Sequence, residues 1–150
     1  MELRQAVQED LPEIMGMDKK TLLHDASLCG IIPEQIEKNH QALFEKALTR
    51  FEGEIWVAEV DGTIAGFIWV INSVDYFSGH PIGFLLKLYV KEEFRNQGIG
   101  TNLVEKGEEF CTRHDMTVLE LNVAKSNAIS VHICEKCGYE IFRHRMRKCL

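Results

Sequence analysis

The stretch "LLKLYVKEEFRNQGIGTNLVEKGEEF", Leu85–Phe110, decides how this chain is read. Its opening, Leu85–Val90, reads as a strand, and the run from Gly98 to about His114 reads as a helix. Between them Arg95-Asn96-Gln97-Gly98-Ile99-Gly100 sets an arginine and two glycines where the helix starts. A helix N-terminus leaves backbone N–H groups unpaired and carries partial positive charge. Glycines there let a ligand come close to the backbone, and an arginine ahead of them offers a bidentate donor suited to phosphate oxygens. Gln97-Gly98-Ile99-Gly100-Thr101 thus reads either as a pyrophosphate cradle or as a solvated, glycine-tolerant turn, and these residues alone do not separate the two.

Two specific phosphate motifs fit poorly. A P-loop ends in Gly-Lys-Ser/Thr, whereas Gly100 is followed by Thr101-Asn102. A dinucleotide fingerprint needs a third small residue where this chain has Leu103, and a tighter strand-to-glycine turn than Val90 to Gly98 allows.

Outward from this stretch the chain reads as α/β. Leu3–Val7 is a short first strand. Asp10 is an N-cap candidate, with Pro12 in the first turn and Glu13 completing a capping box, for a helix to about Lys20. Residues 21–32 are ambiguous. Pro33 opens a second helix with Ile36, Leu43, Phe44, Ala47, Leu48 and Phe51 at helical spacing. "EIWVAEVDGTIAGFIWVI" places Asp61-Gly62 between two β-rich runs, a strong hairpin signal because a type I′ turn needs positive φ at both central residues. Asn72–Phe84 is a polar connection, Thr117–Val123 a strand, and Asn127–Cys137 a helix ended by Gly138; Tyr139–Cys149 is expected as a last strand. A hairpin followed by strand–helix–strand implies a mixed sheet with one parallel crossover.

The 150 residues suit one domain, 1–150, and a composition 45% hydrophobic and 27% charged is ordinary for a globular chain. A net charge of -6 argues against a generally basic nucleic-acid surface. No apolar run approaches the roughly 18 residues of a membrane span, and Met1–Gln5 has no apolar signal core. A cytoplasmic protein is expected, with no nucleic-acid or membrane partner. The five cysteines are irregularly spaced and read as reduced thiols. Cys134-x-x-Cys137 lacks a second pair for zinc and sits at a helix C-terminus, not the N-terminus a redox pair uses, so no metal is expected.

Arg95-x-x-Gly98-x-Gly100 after a strand ending Leu88-Tyr89-Val90 resembles the acyl-CoA signature of the GNAT N-acetyltransferase superfamily. "LRQAVQEDLPEI" resembles that family's opening strand and helix. Leu121-x-Val123, Asn127 and Cys134-Glu135-Lys136-Cys137-Gly138-Tyr139 are similar to its second signature, which ends in Tyr-Glu-Lys-x-Gly-Phe. The resemblance implies the GNAT-type fold: a central mixed sheet whose parallel fourth and fifth strands splay apart, with helices on both faces. It implies acetyl-CoA as co-substrate. The pantetheine arm would run in the splay against Leu88 and Val90. The pyrophosphate would lie on Arg95, Asn96, Gln97, Gly98, Ile99, Gly100 and Thr101. Asn127 would contact the pantetheine, cap its helix, or do both.

The implied reaction is direct transfer to an amine, of a small molecule or a peptide, with an oxyanion held by the Val90 N–H. At the family's usual base this chain has Asn122, and at its usual acid Cys134. Strand alternation puts Glu120 on the same face as Asn122, making it the candidate base against a reading as a solvated strand residue. Cys134 is the candidate acid against a reading as a small buried helix residue. His80, with Asp75 and Tyr76 nearby, is a second candidate base, and Lys87 argues against a carboxylate relay from the fourth strand. With both usual groups lost, a catalytically silent acyl-CoA sensor on the same fold is the competing reading. The last strand offers an edge for a homodimer.

Overall fold

A computed structural model describes residues 1–29, 32–146 and 148. Five strands form one sheet in the order β1-β2-β3-β4-β5: β1 (Glu2–Gln5), β2 (Gly53–Val60), β3 (Thr63–Val74), β4 (Pro81–Val90) and β5 (Leu119–Leu121). The first four pair antiparallel, and β5 lies parallel to β4. Asp61 and Gly62 close the β2–β3 hairpin with φ of 50° and 76°, the two positive values the sequence calls for.

Helices α1 (Leu11–Cys29) and α2 (Pro33–Arg50) cover one face of the sheet, and α3 (Ile99–Arg113) packs on the other. The first core layer joins Ile14, Met17 and Phe44 to Val57, Phe67 and Trp69. The second joins Ile99, Leu103 and Val104 to Ala58, Ala65, Ile68 and Leu85. A fourth helix, α4 (Ala128–Lys136), ends in a Schellman turn: Gly138 N–H donates to the Glu135 carbonyl and Tyr139 N–H to that of Cys134, each at 3.0 Å, around Gly138 at φ 83°.

Several expectations are corrected. The ambiguous segment after Lys20 continues α1 as far as Cys29. Asp10 forms no capping box with Glu13, which pairs instead with Lys91; its carboxylate turns back to accept from the Val7 N–H at 2.8 Å and from both terminal nitrogens of Arg4 at 2.7 and 3.0 Å. The expected last strand does not form over Tyr139–Met146, and positions 147 and 149 of it lie outside the described residues. A ladder needs a partner edge, and β5 offers only Leu119–Leu121. Arg143 stacks instead over Tyr76, Phe77 and Phe142.

The Arg4 guanidinium holds the Asp10 carboxyl below the usual carboxylate range. A depressed native pKa adds stability that is present above the unfolded pKa and lost as pH falls through the native one. Asp10→Asn is therefore expected to destabilise by about 1–3 kcal/mol at neutral pH. In urea titrations the gap from the parent should close as the pH is lowered below about 4.

Candidate functional site

The site is made by a fault in the β3–β4 ladder. The register steps from Trp69↔Lys87 to Val70↔Leu85, leaving Leu86 as an extra residue in β4. A bulge of this kind bends its strand and reverses which side chains face which way. Phe84, Leu86 and Tyr89 accordingly pack toward α1 and α2, while Leu85, Leu88 and Val90 pack toward α3. On the other edge, β5 pairs with β4 only at Gly83↔Leu119, Phe84↔Glu120 and Leu85↔Leu121. Beyond Leu85 the strands separate, and the edge of Leu86–Val90 is left without a strand partner among the described residues. The parallel, splayed pair expected from the sequence is therefore present, with β5 shorter than the expected Thr117–Val123.

The chain leaves Val90 through a short 3-10 turn, Glu92–Phe94, and passes Asn96 at φ 61° before entering α3. Gly98, at φ 78°, is the N-cap of α3, and no side chain caps it; the first turn carries no acidic residue. The first N–H groups of α3 thus have no side-chain acceptor. A Cβ on Gly100 would meet only ordinary contacts, 3.6 Å to Ile133 and 3.8 Å to Val90, so the chain's own packing does not demand glycine there. Arg95 folds back along β4: its Nε donates to the Val90 carbonyl at 3.1 Å, and its guanidinium lies 5.9 Å from the Tyr89 ring. The Gln97 side-chain amide donates to the Glu93 carbonyl at 3.4 Å. Leu88, Val90 and Arg95 to Thr101 are thus gathered at the open end of the splay.

Asn127 is the N-cap of α4, its Oδ1 accepting from the Ser130 N–H at 3.2 Å. Its Nδ2 donates to Asp25 Oδ1 at 3.4 Å, so α1 reaches across to the start of α4. Cys134 is 8% exposed, and burial, with Cys137 next, pushes its thiol pKa up. Cys137 lies against Thr101 at the head of α3, and burial raises its thiol too. Cys111, Cys134 and Cys137 are free thiols. The Tyr139 hydroxyl is buried without a hydrogen-bond partner among the described residues, and that burial holds it protonated. Among the described residues no three His, Cys, Asp or Glu side chains converge as a metal site would.

Glu120 is half-buried opposite Phe84, on the α1/α2 face. His80 is not brought to the splay. It sits in an exposed turn before β4, held by its carbonyl to the Asp75 N–H at 2.8 Å, and β4 runs about 30 Å from there to Val90. Sequence reasoning passed over a buried group on the α1/α2 face: Asp18 Oδ2 lies 2.8 Å from His40 Nε2, and Asp18 Oδ1 3.0 Å from Lys87 Nζ. The available signal was a polar residue on each of two apolar helix stripes, Asp18 beside Ile14 and Met17 on α1, and His40 beside Phe44 on α2.

Residues 20–139 match the family model described as the acetyltransferase (GNAT) family. A relative from Archaeoglobus fulgidus, named an uncharacterized N-acetyltransferase, is 31% identical over 130 residues, 85% of this chain and 84% of its own. A solved structure from Pyrococcus furiosus, titled "Putative acetyl transferase", superposes with a TM-score of 0.83 at 24% identity, over 99% of both chains. A structure titled aminoglycoside N-acetyltransferase AAC(6')-Iy in complex with CoA gives 0.75 at 21% identity, over 99% of this chain and 93% of that one.

Proposed function

The chain belongs to the GNAT family of acetyltransferases, and from that premise we propose that it transfers the acetyl group of acetyl-CoA directly to a primary amine of a small molecule or peptide. The observation that carries this reading is the pairing of the β4–β5 splay with an uncapped α3 N-terminus at its mouth. The pyrophosphate lies on the N–H groups from Gln97 to Thr101, with the Arg95 guanidinium swinging from β4 to meet it. The pantetheine adds to the free edge of β4 as a further strand would, and exchanges with Asp25 for the Asn127 amide. The thioester oxygen can only accept, so at this edge it meets the Val90 N–H. A neutral amine attacks from the α1/α2 face; Glu120 takes its proton and Cys134 protonates the departing thiolate. Free thiols at Cys111, Cys134 and Cys137 suit a reducing cytoplasm. A homodimer contact, if formed, falls on the exposed Tyr76, Phe77, Ile141 and Phe142.

The test is a mass-spectrometric screen with acetyl-CoA against polyamines, aminoglycosides and peptide N-termini. An acetylated amine is expected. Tight CoA binding with no product across the panel would instead favour a silent acyl-CoA sensor, the reading kept alive by Asn122 and Cys134 at the usual acid–base positions. Glu120→Gln should lower turnover chiefly at low pH, where an ammonium acceptor most needs a base; an unaltered pH–rate profile removes Glu120 from the mechanism.

A further inference from the structure

We propose that Lys87 is the electrostatic group of the transfer site, polarising the thioester carbonyl, and that Asp18 and His40 are the positioning residues that hold it there; this rests on the acetyl-CoA reading above. Lys87 is the residue after the extra Leu86, two past the last β4–β5 pair at Leu85. It therefore stands where the strands part, and its ion pair with α1 puts it on the face from which the amine approaches. Its side chain is 23% exposed, so it is neither buried in the core nor free in solvent.

The support behind it is built from three elements. Asp18 on α1 is 3% exposed and His40 on α2 is 4% exposed. An ionised carboxylate only accepts hydrogen bonds, so His40 Nε2 carries the proton it shares with Asp18 Oδ2. The other oxygen, Oδ1, is 3.0 Å from Lys87 Nζ but has no directed hydrogen bond among the described residues. A buried carboxylate is costly unless fully satisfied. Here one oxygen is fixed by an imidazole and the other faces an ammonium, at least two of whose three donors it leaves uncommitted. A half-satisfied buried network is unfavourable as a stability device and useful as a site. Asp18 keeps the ammonium stationary, and the ammonium keeps donors to spare for an oxygen in the splay. Charge fixed in advance where an oxyanion develops is the arrangement that lowers such barriers. It adds a second donor to the Val90 N–H, in a chain that has no acid at this strand position.

The experiment needs no acceptor amine. Acetyl-CoA carrying a 13C-labelled thioester carbonyl is bound to the parent and to Lys87→Met, Lys87→Arg and the double variant Lys87→Met/Asp18→Asn, and its carbonyl stretch is recorded by isotope-edited infrared. CoA affinity is measured on the same samples by calorimetry. The parent should shift the carbonyl to lower frequency than in free acetyl-CoA. Lys87→Met should lose most of that shift with unchanged CoA affinity, and Lys87→Arg should keep much of it. The double variant removes both charges together, so it keeps the fold if the single change leaves Asp18 stranded, and it should also lose the shift. A shift equal to the parent's in a folded Lys87→Met or double variant that binds CoA overturns the proposal alone. A parent that does not bind acetyl-CoA overturns the underlying reading, and this proposal with it.

Discussion

Gly98→Asp is expected to abolish CoA binding while leaving the protein folded. Gly98 holds φ 78°, and a Cβ there would meet nothing within 4 Å. The cost to the fold is thus the left-handed backbone alone, about 1 kcal/mol and less for Asp than for most residues. The new carboxylate would also answer the uncapped amides of α3, which recovers part of that cost. Toward a ligand it acts the other way. It occupies the donors a pyrophosphate would use and sets like charges side by side. Two unit charges about 4 Å apart at an effective dielectric near 20 repel by about 4 kcal/mol, roughly a thousandfold in affinity. Calorimetry with CoA should detect no binding to Gly98→Asp, and a thermal melt without ligand should stay close to the parent's. Gly98→Ala, carrying the backbone cost without the charge, should bind with a much smaller loss. Parent-like affinity in Gly98→Asp would mean that α3 does not hold the pyrophosphate.

Cys134→Ala should lower acetyl transfer by about 10²-fold, with little change in the KM for acetyl-CoA. Burial, then the neighbouring Cys137, raises the Cys134 thiol pKa. A proton donor works only while protonated, and a raised pKa carries the protonated form to higher pH. Activity of the parent should therefore show no fall through pH of about 8.5, where an ordinary thiol would already be half ionised. The same shift argues against Cys134 as a nucleophile, since attack on a thioester needs the thiolate. Intact-mass analysis after incubation with acetyl-CoA should accordingly show no acetyl group on Cys134. Full activity in Cys134→Ala would return this residue to a packing role beneath α4.

The parts of the fold that were legible in the sequence are those whose physics is local. Asp61-Gly62 requires positive φ at two adjacent residues, and Gly98 and Gly138 each mark a helix end that few other residues could make. The splay was legible only through resemblance, because the length of β5 is set by where β4 leaves it and not by Thr117–Val123 itself. Alternation along "LLKLYV" cannot disclose that Leu86 is an extra residue; that depends on β3 across the ladder. The terminal strand failed for the same reason: Tyr139–Met146 has β-like composition but only the three residues of β5 beside which to pair. Asp18, His40 and Lys87 lie far apart in the chain on three elements, so no spacing connects them. Only the polar interruptions of two apolar stripes hinted at them.

The extra Leu86 makes the count of residues in β4 a functional quantity. Deleting it would restore strict alternation beyond Phe84. Lys87 and Tyr89 would keep facing α1 and α2, and Leu88 and Val90 would keep facing α3, because Val70↔Leu85 and Trp69↔Lys87 would become consecutive pairs. What would go is the bend, and β4 would be straight enough to go on pairing with β5. One residue's worth of slack in a single strand is the difference between a closed sheet and a cleft with a charged floor. An insertion of that size is open to any sheet by a single in-frame codon, whereas the arginine, the glycines and the helix beyond it have use for a ligand only once that slack exists.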